Sequence, residues 1–231
     1  VCESFEDATP GLLPTSFHVV NPESDGQADS AVIDSLGAHG SNHSLKVKGA
    51  ARIFVRFEHG IATLGSTVHA RFSVRFDAAL PTSHSTFATF DVQQPHDDYD
   101  ENQELRFGAQ DGVFHFNAAH SDHNVPSASP TGNAASFTPV PKTWYCVELI
   151  VDKATGHLSA SVDGAIVPGL VQDGVPTPDI DTEWLSDGTL PAWTSTLVDF
   201  SLGWRTYGGA PNVVWFDDVA VGDGPLPCAV Q

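Results

Sequence analysis

The chain has 231 residues, with 10 Lys and Arg against 29 Asp and Glu, for a formal charge of −19. That excludes a strongly basic nucleic-acid binder, because a polyanion needs a concentrated positive surface. A hydrophobic content of 41%, including 14 Phe and 5 Trp, is enough for a sizeable core and excludes global disorder. The 20 Gly and 16 Pro favour many turns over long helices. No apolar run approaches the roughly 18 residues of a membrane span.

In chain order, strand patterns begin at residues 44–47 and 53–58. Residues 68–77 alternate strictly, with Val68, Ala70, Phe72, Val74 and Phe76 apolar and the residues between them polar, the period of a half-buried strand. Further strands are predicted over 86–92, 105–110, 113–117, 144–151, 158–162, 197–204 and 213–221. Asp111-Gly112, Thr155-Gly156 and Asp163-Gly164 fall between such runs and predict antiparallel hairpins. The fold class that follows is all-β, a sandwich or jelly roll of two antiparallel sheets without a convincing amphipathic helix. Residues 93–102 (QQPHDDYDEN), 120–141 and 167–190 are predicted as long loops. Strand patterning resumes after each without a change of character, so a single domain is expected over 1–231.

The chain contains no Met, which predicts a removed leader and a secreted, extracellular protein. Its three cysteines allow one bridge. Pairing Cys146 with Cys228 would pin the C-terminal tail to the sheet. Cys2 is then free or paired outside the domain, or is itself the partner of Cys228.

Several segments, taken in order, carry a resemblance: Phe5-Glu6-Asp7, the loop and strand HGSNHSLKV (39–47), LRFGAQ (105–110), GWRTYGG (203–209) and VWFDDV (214–219). The chain resembles the fungal cellulose-induced jelly-roll proteins, related in fold to glucuronan and alginate lyases. The resemblance implies a secreted jelly roll with a concave carbohydrate-binding sheet and a structural calcium. It places the calcium at Glu6, Gly40, His43 and Asp217. Gly40 and His43 can offer only main-chain carbonyls to a hard cation, and the two acids supply charge. Asp218 is the alternative to Asp217, since adjacent strand residues face opposite ways.

Strand periodicity independently groups the polar candidates. Arg106 and Gln110 share one face of their strand, and Arg205 and Tyr207 share a face of theirs, whereas Trp204 points into the core. Elimination on a uronic-acid polymer needs a neutralised carboxylate, a base for the carbon-bound proton and an acid for the departing oxygen. Arg106 and Gln110 suit the carboxylate, His84 is the candidate base, and Tyr207 is a candidate acid or both acid and base. The lyase resemblance points to the same His84, Gln110 and Tyr207 as catalytic positions. Arg205, Glu104, His115, Arg71 and Arg75 complete the candidate substrate contacts.

The leading expectation is therefore a monomeric polysaccharide lyase acting on a glucuronan-like polymer, with no nucleic-acid or membrane partner. The alternative is a non-catalytic carbohydrate-binding module for plant or microbial cell-wall glycan. The overall negative charge argues against an acidic substrate at long range, leaving a local Arg106 and Arg205 patch to offset it. A hydrolase would need paired carboxylates, for which Glu104 with Glu148, Asp199 or Asp97-Asp98 are available. His115, His120 and His123 lack metal-site spacing.

Overall fold

A computed structural model describes residues 2–20, 30–49, 52–57, 60–91, 104–119, 121–186, 197–226 and 228. Among these residues, fifteen strands and two short helices follow one another. They are β1 (Cys2–Glu3), β2 (Phe17–Val20), β3 (Ser30–Asp34), β4 (Ser44–Gly49) and β5 (Arg52–Phe57). Next come β6 (Thr67–Phe76), β7 (Ser85–Asp91), β8 (Glu104–Gln110), β9 (Val113–Ala118), β10 (His123–Val125) and α1 (Pro130–Ala135). The chain continues through β11 (Tyr145–Asp152), β12 (Leu158–Val162), β13 (Ala165–Gln172), α2 (Thr182–Ser186), β14 (Asp199–Thr206) and β15 (Asn212–Gly222).

These strands build an all-β sandwich of two antiparallel sheets. Sheet I has the order β13-β12-β11-β6-β15-β4-β3, with β1 added on β15, and sheet II has the order β10-β9-β8-β7-β14-β5-β2. The alternation in β6 does what it predicts: Val68, Ala70, Phe72, Val74 and Phe76 are all buried in the core. Leu105, Phe107 and Ala109 of β8 meet them from the other side, and Trp204 is fully buried there too. Edge-on ring contacts stitch the layers, with Phe76 and Phe107 lying 5.1 and 5.3 Å from Phe87.

Turn chemistry sets the hairpin registers. Asp111 and Gly112 take φ of 53° and 79°, and Asp163 and Gly164 take 51° and 80°. Two successive positive φ values are what a two-residue hairpin turn requires, which is why Asp-Gly occupies both. A different glycine shapes the interior of sheet II. β7 bulges between Thr86 and Ala88 where it faces β8. A Cβ on Gly108 would sit 1.8 Å from the Ser85 carbonyl oxygen, so only glycine lets the strands approach here.

The structure corrects the predicted loops. β13 and α2 occupy part of the expected loop 167–190, because β13 is a strand in spite of its Pro168-Gly169 pair. β10 and α1 lie within the expected loop 120–141. β1, β2 and β3 were not anticipated. The acidic stretch 93–102 lies outside the described residues. No helix among the described residues is long and apolar enough to cross a membrane.

Cys146 of β11 is bonded to Cys228, with a Cα–Cα distance of 5.8 Å, and Cys2 is an exposed free thiol. The tail is held a second time where Leu226 N donates to Glu148 Oε1 at 3.2 Å.

Candidate functional site

Sheet II presents polar side chains on the face turned away from the core, and its register arranges them in rows across the strands. One row runs Asn124, Asn117, Arg106, Thr89, Ser201, Arg56 from β10 to β5. At about 4.8 Å per strand it is on the order of 24 Å long, the length of a short oligosaccharide. A neighbouring row runs His115, Gly108, Thr86, Arg205, Arg52. Among the described residues, Thr86 Oγ1 and Ser201 Oγ find no hydrogen-bond partner, although both residues are only 1% exposed. Such hydroxyls carry a desolvation cost that a ligand or water would relieve.

At one end of this face four predicted residues come together. His84 and Tyr207 stack at 4.9 Å with their planes 13° apart. Their strands meet here, because Tyr207 N donates to the His84 carbonyl at 3.0 Å. The Arg205 guanidinium lies 4.3 Å from the Tyr207 ring centroid and that of Arg106 lies 5.5 Å away. Tyr207 is 46% exposed, so this cluster is open to a ligand. Burial first, and then the Arg106 cation, push the His84 imidazole down to about 4, which leaves it neutral near pH 7. Its Nε2 has no hydrogen-bond partner among the described residues.

Gln110 joins the cluster through a chain of amides. Arg106 Nη1 donates to Asn117 Oδ1 at 3.4 Å, and Asn117 Nδ2 donates to Asp122 Oδ1 at 3.0 Å and Asn124 Oδ1 at 3.1 Å. Asn124 Nδ2 then donates to Gln110 Oε1 at 3.3 Å. Sequence reasoning missed Asn117, Asn124 and Asp122. The alternation of β9 placed Asn117 beside Arg106, but no pattern revealed β10.

The opposite end of the face is a charge network. Glu104, Asp91 and Asp199 are register neighbours on β8, β7 and β14. Glu104 Oε1 pairs with Arg52 at 3.1 Å and Oε2 with Arg106 Nε at 2.7 Å, while Arg56 lies 3.9 Å from Asp199. Burial, followed by the Glu104 and Asp199 charges, drives the Asp91 carboxyl well above its usual range. Burial likewise raises Asp199, against the pull of Arg56.

Four expected substrate contacts therefore change role. Glu104 is 2% exposed with both oxygens committed to arginines, so it orients Arg106 from behind. His115 is fully buried beside Asn133 and Pro126. Arg71 and Arg75 stand on β6 of sheet I, where Arg71 Nη2 donates to the Asp218 carbonyl and Arg75 covers Trp215. Odd-numbered β6 residues face away from the core of the other sheet, so neither arginine can reach this site. Glu148, a possible hydrolase partner, also belongs to sheet I, and Asp97 and Asp98 lie outside the described residues.

The four positions that the resemblance gave to calcium surround the loop before β4. Glu6 Oε1 accepts from Asn42 N at 2.8 Å and His43 N at 2.9 Å. Asp217, fully buried, accepts from Ala38 N at 2.8 Å and from the Ser41 hydroxyl through Oδ2. Gly40 turns the loop with φ of 94°. Asp218 sits at a bulge with φ of 47° and donates its N–H to Asp217 Oδ1, so Asp217 is the acid that addresses the loop. The His43 ring is engaged through Nδ1 with the Glu6 carbonyl at 3.1 Å. Among the described residues no group of three or more His, Cys, Asp or Glu side chains is placed to hold a metal. Two carboxylates with loop carbonyls are nonetheless the hard oxygen donors that calcium takes.

Comparison with known proteins bears on this arrangement. Residues 5–224 match the polysaccharide-lyase-like family model described as Cip1-like, core domain. The solved structure of a cellulose-induced protein, Cip1, is 25% identical, with a TM-score of 0.81 over 99% of this chain and 100% of that one. A sialidase structure aligns at TM-score 0.54 and 13% identity over 96% of this chain and 18% of its own. The binding domain of botulinum neurotoxin DC in complex with SialylT aligns at 0.52 and 10% identity, over 91% and 43% respectively. These last two likenesses show the fold alone. No curated protein sequence matches the chain.

Proposed function

The chain belongs to the Cip1-like, polysaccharide-lyase-like family, and from that premise we propose that the polar face of sheet II binds an acidic cell-wall polysaccharide. The observation that carries this reading is the cluster of His84 and Tyr207 with the Arg205 and Arg106 guanidinium groups at 4.3 and 5.5 Å from the tyrosine ring. Guanidinium groups pair with carboxylates, and an exposed aromatic ring supports a sugar ring. A locally basic pocket suffices in a strongly negative protein, because salt screens the remaining charge beyond about 8–10 Å.

The finer reading is β-elimination, favoured by the stacking of His84 on Tyr207. With Arg106 and Gln110 holding the uronate carboxylate, His84 would take the proton from the carbon beside it. The Tyr207 hydroxyl would protonate the glycosidic oxygen as the carbon–oxygen bond breaks and a carbon–carbon double bond forms. The depressed basicity of His84 makes it a weak base for that step, so binding leads and elimination follows as the narrower claim. Incubation with polyuronates and neutral glucans, following retention and ultraviolet absorbance of unsaturated ends, separates the two. Retention without absorbance is the outcome expected of a binding module, and absorbance that Tyr207→Phe abolishes is the outcome expected of a lyase. No retention on any polyuronate would overturn both.

We further propose that calcium ties Glu6 and Asp217 to the carbonyls of Gly40 and His43. Chelation should then lower the melting temperature, since an ion bound by the folded state alone stabilises it. A melting curve indifferent to chelator and to added calcium would remove the ion from the account. The Cys146–Cys228 bond supports secretion into an oxidising compartment.

A further inference from the structure

The amide chain between Asp122 and Gln110 has a direction, and its direction is set at the ends. An ionised carboxylate only accepts hydrogen bonds and a guanidinium only donates them, whereas a side-chain amide can turn either way. Asn117 lies between one of each: its Oδ1 receives Arg106 Nη1 at 3.4 Å and its Nδ2 gives to Asp122 Oδ1 at 3.0 Å. That orientation obliges Asn124 to offer its oxygen to Asn117 Nδ2, 3.1 Å away. Asn124 Nδ2 is left to donate, and it does so to Gln110 Oε1 at 3.3 Å, with the Asp122 carbonyl at 3.4 Å on the same nitrogen. Gln110 therefore has its oxygen occupied and keeps its two N–H donors for whatever lies over the face.

We propose that Asp122 is a positioning residue that, through Asn117 and Asn124, locks Gln110 as a hydrogen-bond donor and so selects a carboxylate-bearing sugar over its neutral counterpart. The inference rests on the acidic-polysaccharide reading of the face and adds the device by which acid is told from alcohol. A carboxylate accepts only, and a locked donor meets it without reorientation. A hydroxymethyl group accepts or donates and gains nothing from the lock. Asp122 suits the role locally: it takes φ of 59° at the start of β10, a backbone state that Asp and Asn tolerate, and its side chain reaches back to β9.

The test uses a linear polyglucuronate and the same polymer with every carboxylate reduced to a hydroxymethyl group, with dissociation constants measured for each. Asp122→Gly removes from an exposed position both a negative charge and the acceptor of Asn117 Nδ2, in a backbone state that glycine tolerates, so simple electrostatics predicts tighter binding of the polyanion. The relay predicts the reverse, a loss of roughly three- to tenfold on polyglucuronate with the reduced polymer changed less than twofold. Asn124→Ala, which cuts the same chain, should show the same selective loss. The double variant should lose no more than Asn124→Ala alone, because both changes sever one path. Unchanged or tighter polyglucuronate binding by folded Asp122→Gly, while the wild type prefers the acidic polymer, would overturn the relay alone. A wild type that does not distinguish the two polymers would overturn the acidic-polysaccharide reading, and the relay with it.

Discussion

The outer faces of the two sheets both carry polar side chains and organise them differently. On sheet I the groups close upon one another. Trp215 donates to Asp34 at 2.7 Å, Asp34 pairs with Lys46 at 3.1 Å, and Arg75 lies 4.5 Å over the indole. His69 pairs with Glu148 at 3.1 Å, and Glu148 also holds the tail. On sheet II the charged groups are also tied, but Thr86 and Ser201 are buried with hydroxyls that have no partner among the described residues, and Tyr207 stands exposed above two arginines. Buried polar groups in folded proteins are ordinarily satisfied; among the described residues Arg75 Nη1 and the Gln172 amide of sheet I also lack a partner, so the contrast between the two faces rests on the exposed Tyr207 and its two arginines.

The largest perturbation should strike sheet I and leave sheet II working. The Cys146–Cys228 bond spans a sequence separation of 82. On the chain-entropy model its removal by Cys146→Ser with Cys228→Ser costs about 4 kcal/mol of stability. Polysaccharide affinity of the folded fraction should not change. A drop in affinity at temperatures where the variant is folded would show that the two faces are coupled.

Arg106→Ala should fail on both counts. It breaks the Arg106 Nε–Glu104 Oε2 pair, leaves Glu104, 2% exposed, on its 3.1 Å contact with Arg52, and strips the face of a guanidinium. A stability loss of about 3 kcal/mol in denaturant titration is expected, with polyuronate binding largely abolished. Arg75→Ala is the matched control on sheet I. It should cost about 1 kcal/mol or less through the lost contact with Trp215 and leave binding untouched.

The smallest effect is the most specific. Because Asp91 is driven well above its usual range by burial and by Glu104 and Asp199, the folded state holds its proton more tightly than the unfolded chain does. Its contribution to stability is then complete below the unfolded carboxylate value, near pH 4, and is lost as pH rises through the folded value. Asp91→Asn should melt like the wild type at low pH and above it at pH 8. A difference independent of pH would mean that Asp91 does not titrate in that range.

How much of this was legible in the sequence follows from position in the sheets. The predicted strands β4–β9, β11, β12, β14 and β15 all have a neighbour on each side in the observed order. The strands that escaped notice, β2, β3, β10 and β13, are the four sheet edges, and β1 is a two-residue addition. An interior strand is packed and hydrogen-bonded from both sides, so its alternation is enforced; an edge strand tolerates Pro168 or a length of three residues. The site divides along the same line. Arg106, Gln110, Arg205 and Tyr207 follow from two-residue periodicity within or beside interior strands, whereas His84 rests on the chemistry of the reaction and on the lyase resemblance. Asn124 and Asp122 depended on recognising β10. Arg71 and Arg75 were placed on the correct strand, but one sequence could not say to which sheet it belonged.

Pro168 has a consequence for the molecule among its own kind. β13 borders sheet I with Ile166 67% exposed, and an uninterrupted rim of that sort invites a second copy to extend the sheet. A missing amide hydrogen in mid-strand, beside a slipped register between Ser159 and Ser161, spoils the template for such stacking. The residue that hid the strand from its own sequence also makes that border a poor template for a second copy.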